Sequence, residues 1–67
     1  MSYTYIAEIK SRKTTVASKT SSDLRKVVTW ANSKSIVGDH IIISEGYLAA
    51  DGVVDKHEQL NSWYSLL

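Results

Sequence analysis

Cysteine, proline and phenylalanine are missing from this 67-residue chain, and glycine appears only three times. Without cysteine there is no secreted disulfide scaffold. Gly38, Gly46 and Gly52 stand singly, so neither a dinucleotide fingerprint nor a phosphate-cradling loop can be assembled. The triple isoleucine at 41–43 is far short of a bilayer crossing. The opening MSYTYIAEIK lacks the apolar centre of a signal peptide. These absences predict a soluble, cytoplasmic protein with no membrane association.

Paired chemical groups are equally scarce. Asp39-His40 and His57-Glu58 are the histidine–carboxylate neighbours in the chain. Adjacent residues on a strand or helix point apart, so neither pair forms a ready acid–base couple or chelate. No catalytic residue, metal site or cofactor is predicted. His57 falls on an apolar stripe, where a partly buried structural imidazole is the ordinary occupant.

An apolar content of 43% is that of a globular protein. One domain, 1–67, is predicted. A core this small, with no disulfide or metal to supplement it, favours self-association. The net charge is only +1, yet its distribution is uneven. Residues 1–35 carry seven Lys or Arg against Glu8 and Asp23, a net of +5. Residues 36–67 carry Lys56 against five carboxylates, a net of −4. This asymmetry gives either a basic surface for a ligand or a basic half that docks on an acidic one.

Ser22–Ser35 organises the fold. Leu24, Val27, Val28 and Ala31 lie at i, i+3, i+4 and i+7, one face of a helix. Thr20 and Asp23, three apart, resemble a capping box at its entry. Tyr3–Lys10 alternates with period two and reads as a strand. Ser11–Lys13 is a connector and Thr14–Ser18 the returning strand. The connector has no glycine, so a longer or bulged loop is expected rather than a tight primed turn. His40–Ser44 is a third strand, apolar on both faces and so well covered. Two readings follow it. Glu45-Gly46 turns the chain into a fourth strand, Tyr47–Ala50, and Asp51-Gly52 leads into a C-terminal helix with Val53, His57, Leu60, Tyr64 and Leu67 as its stripe. Alternatively, Asp51-Gly52 is the turn of a hairpin between Tyr47–Ala50 and Val53–Asp55. The first is preferred. The fold class is α+β, in the order β-β-α-β-(β)-α, with a three- or four-stranded antiparallel sheet packed by one or two helices.

Three groups of residues are candidates for recognition. Trp63, Tyr64, Leu66 and Leu67 widen the C-terminal stripe and suit a partner or oligomer interface. Lys26, Trp30 and Lys34, at i, i+4 and i+8, form a basic–aromatic ridge able to hold phosphates or anchor a protein. In the plainer alternative Trp30 folds over the sheet edge and the lysines are merely solvated. Arg12 and Lys13 mark a basic tip, flanked by Lys10 and Lys19, which can reach a phosphate backbone or simply blunt an edge strand. The leading expectation is a non-enzymatic module that binds a protein partner, inhibiting or modulating it, and self-associates. The alternative is a nucleic-acid-binding protein using the basic N-terminal hairpin and first helix, a task the acidic second half opposes.

Overall fold

Alternating residues place β1 (Ser2–Ser11) where the period of two predicts it, and the chain returns as β2 (Thr14–Ser21). The computed structural model describes residues 2–66, without the side chain of Ser2. Between the two strands lies a two-residue turn, since Ser11 pairs directly with Thr14. Arg12 and Lys13 both have left-handed backbones, φ 53° and 72°. That pair of positive φ values is what a type I′ turn requires, because its twist matches the twist of the strands it joins. The tight turn therefore forms without glycine, contrary to the looser loop expected. Each non-glycine residue held there costs about 1 kcal/mol. A bulge at Val16 then shifts the register between Ile9/Ala17 and Lys10/Thr15.

The helix α1 spans Leu24–Lys34. Asp23 is itself the N-cap, its Oδ1 accepting the Arg25 N–H at 3.0 Å, in place of a Thr20–Asp23 capping box. Lys34 lies in the last turn, where a cation complements the helix dipole. The Ser35 N–H then donates to the Ala31 carbonyl and the helix ends.

From there the chain departs from the preferred reading. β3 runs from His40 to Leu48, so Tyr47 and Leu48 extend the third strand and no separate strand occupies Tyr47–Ala50. Gly46 lies inside β3. A Cβ at that position would overlap the Asp55 carbonyl of the neighbouring strand, which is why glycine stands there. The chain reverses through 49–53, with Gly52 at φ 85°, and returns as β4 (Val54–Tyr64). The C-terminal helix is absent, and the hairpin about Asp51-Gly52 stands in its place. Central β3 needs hydrogen-bond partners along both edges, and β4 supplies the second set. Val54, Trp63 and Tyr64 also suit a pleated surface.

The described residues form one four-stranded antiparallel sheet in the order β2-β1-β3-β4 with one helix. α1 packs over β1 and β2 and reaches the near side of β3. Ala7, Ile9, Ile41 and Ile43 from the sheet meet Val27 and Ala31 from the helix in the buried core. Two alanines, one in each layer, let helix and sheet approach closely. The opposite face of the sheet has no layer over it among the described residues. Both edge strands carry bulges: β2 at Val16, and β4 at His57 and Leu60. Irregular edges of this kind discourage pairing with a further strand.

Candidate functional site

Strand spacing sets the size of the uncovered area. Four strands about 4.8 Å apart make a layer about 19 Å wide, and packed helices lie about 8–10 Å apart, axis to axis. Such a sheet accommodates two helices side by side, and the described residues provide one. The strip beside α1, over β3 and β4, is therefore close to one helix wide.

A groove of about 440 Å³ runs along that strip. Leu24, Val28 and Asn32 form its α1 wall, Ile43 lies at its base, and Leu60, Asn61 and Trp63 form the β4 wall. Leu24 is 39% exposed and Leu60 42%. Trp63 packs partly against the core and closes one end. Leu60 occupies the bulge between the pairs Ile43/Asn61 and Ser44/Gln59, the extra residue of a strand wound out of register. Two asparagine amides sit among the apolar side chains. Such a site buries apolar surface and adds a few directed hydrogen bonds.

A second cleft, of about 620 Å³, lies on the other face of the sheet at the β1–β2 end. Lys10, His40 and Tyr64 are cross-strand neighbours there, in register across β1, β3 and β4. Arg12, Lys13 and Gly38 complete its rim and Ile42 is at its floor. The His40 imidazole stacks on the Tyr64 ring, centroids 4.5 Å and planes 14° apart. The Ile36–Asp39 loop is fastened to the end of β4, with Gly38 N–H donating to the Ser65 carbonyl and Ser65 N–H to that of Asp39.

The predicted recognition residues are redistributed by these elements. Trp63 and Tyr64 are consecutive on a strand and so face opposite sides of the sheet; they do not form one surface. Leu66 is 89% exposed beyond β4, and Leu67 lies outside the described residues. Trp30 packs partly against the core and lines a hollow with Lys19 and Lys26, folding over the β2 side rather than standing out as a ridge. Lys26 and Lys34 are exposed along α1. Arg12 and Lys13 do share one cleft, with Tyr64 from the other predicted group. His40 and Leu60 were missed as contributors. The sequence signal for His40 was its place at the start of a central strand; for Leu60 there was none, because its exposure follows from a bulge.

Charge is unevenly placed along the strands. Lys10, Arg12, Lys13 and His40 gather at the β1–β2 turn; Asp51 and Asp55 lie near the β3–β4 turn beside Lys56, and Glu45 and Glu58 pair midway along β3 and β4. Tyr3, Tyr5 and Tyr47 form an edge-to-face cluster, where the Tyr3 hydroxyl donates to Glu45. Among the described residues no cluster of three or more histidine or carboxylate side chains is placed to hold a metal ion. No helix among them is long and apolar enough to cross a membrane. Comparison with protein-family models, with characterised proteins and with solved structures gives no match.

Proposed function

We propose that this protein is a non-enzymatic interaction module whose α1/β4 groove receives an amphipathic helix of a protein partner. One observation carries the reading: the sheet is wide enough for two helices and carries one, and the vacant strip is lined by Leu24, Val28, Leu60 and Trp63. A second helix packed about 8–10 Å from α1, axis to axis, lies over the strip, and helix-in-groove docking is a common mode of peptide recognition. Asn32 and Asn61 supply the polar contacts that fix its register. A second strand fits less well, since β4 is broken by two bulges. Occupying the partner's helix would inhibit or modulate it. The working compartment in this reading is the cytoplasm.

Salt and substitution test it together. Binding through this groove should persist from low to high salt and fail in Leu60→Asp, because buried apolar contacts are little screened. Light scattering on the purified chain identifies self-association: a dimer that Leu60→Asp returns to monomer would make a second copy the occupant. Binding that is retained by Leu60→Asp would refute the groove.

A further inference from the structure

We infer that the cleft at the β1–β2 turn binds single-stranded nucleic acid, its cations taking phosphates and Tyr64 stacking on a base. This goes beyond the groove, which lies on the other face of the sheet: Trp63 belongs to one site and Tyr64 to the other.

Three observations converge. First, Lys10, Arg12 and Lys13 line one cleft, and among the described residues no carboxylate side chain lines it with them. The nearest in sequence, Asp39, is buried with its Oδ2 accepting the Ile36 N–H at 3.0 Å, so it faces its own loop. Glu8, on the same face as Lys10, is held by Lys56 at 3.1 Å. Second, Tyr64 is 64% exposed, and His40 covers one side of its ring. The imidazole braces one side of the phenol ring, and the ring keeps enough exposed surface to take a base. Third, Arg12 and Lys13 occupy the two positive-φ positions of a turn that glycine and asparagine fill with less strain. Strain of this kind at two neighbouring cations points to selection for their charge.

The chemistry matches the ligand. A guanidinium grips a phosphate with paired hydrogen bonds, and the two ammonium groups add mobile charge on either side. Stacking on an aromatic ring tolerates any base, so the site follows the strand rather than its sequence. An acidic peptide would satisfy the cations and leave Tyr64 without a flat partner. Stacking on the Tyr64 ring needs an unpaired base, which a single strand offers and a duplex does not.

Fluorescence anisotropy with a labelled oligothymidylate of about ten nucleotides tests the inference on the intact chain. Three phosphate contacts predict that affinity falls roughly twentyfold between 50 and 200 mM salt. Tyr64→Ala should weaken binding about tenfold and Tyr64→Phe should restore it. The decisive variant is Arg12→Asn/Lys13→Gly, which relieves the turn: it should melt at a higher temperature than the parent and bind at least tenfold more weakly. The inference is overturned if the parent does not bind at 50 mM salt, if the relaxed turn binds as well as the parent, or if Tyr64→Ala has no effect. Displacement by a polyglutamate peptide as readily as by unlabelled oligonucleotide would also overturn it, and would assign the cleft to an acidic protein.

Discussion

Glu45 stands directly opposite Glu58 in the β3–β4 ladder, two carboxylates paired across neighbouring strands. Like charges in that relation oppose sheet formation. Glu58 is exposed, so Glu58→Lys should raise stability by about 0.5 kcal/mol, read as a higher urea midpoint with an unchanged slope. The gain should shrink at high salt. A loss of stability in low salt would mean that the two side chains do not meet.

Gly46 and Asp55 define how closely β3 and β4 can lie. Gly46→Ala drives a methyl into the Asp55 carbonyl at a bulge, where backbone and not a flexible side chain must yield. A loss of more than about 2 kcal/mol is predicted from this overlap, with faster amide exchange along β4. Gly38→Ala meets no atom and has only its φ of 93° to accommodate, so about 1 kcal/mol should be lost.

Trp63 and Tyr64 give the clearest contrast between neighbours. Trp63 packs against the core and Tyr64 does not. Trp63→Ala should cost about 3 kcal/mol, and Tyr64→Ala less than about 1 kcal/mol. Equal losses in thermal denaturation would argue for the C-terminal helix in place of β4.

At the entry to α1, Asp23→Ala removes the acceptor of the Arg25 N–H. The helix should lose about 1 kcal/mol, and Asp23→Asn should recover most of it. Native-state hydrogen exchange at residues 25–27 reads this directly.

The first half of the fold was legible because its periods are clean. Tyr3–Lys10 alternates, and Leu24, Val27, Val28 and Ala31 keep helical spacing. β4 was not legible, and its bulges explain why. Lys56, Gln59 and Ser62 pair with Gly46, Ser44 and Ile42, alternate residues of β3 on one face. An extra residue at His57 and another at Leu60 turn the two-residue step of a strand into a three-residue step, which imitates a helix. The β1–β2 turn was misread for a different reason. Its geometry follows from strand twist, and Arg12-Lys13 adopts that geometry against local preference. The basic cleft was half visible: Arg12 and Lys13 were marked by charge, but His40 joins them through the pairing of β1 with β3 and Tyr64 through that of β3 with β4. The groove was hidden altogether, since it exists because one helix lies on a sheet wide enough for two.

That vacancy is most directly tested by a photo-crosslinking amino acid placed at residue 60 in the source cell, compared with the same probe at Ile36, 69% exposed but outside the groove. The account predicts a discrete protein adduct at 60, absent at 36 and abolished by Leu24→Asp across the groove. Adducts of equal yield at both positions, or none at 60, would contradict it.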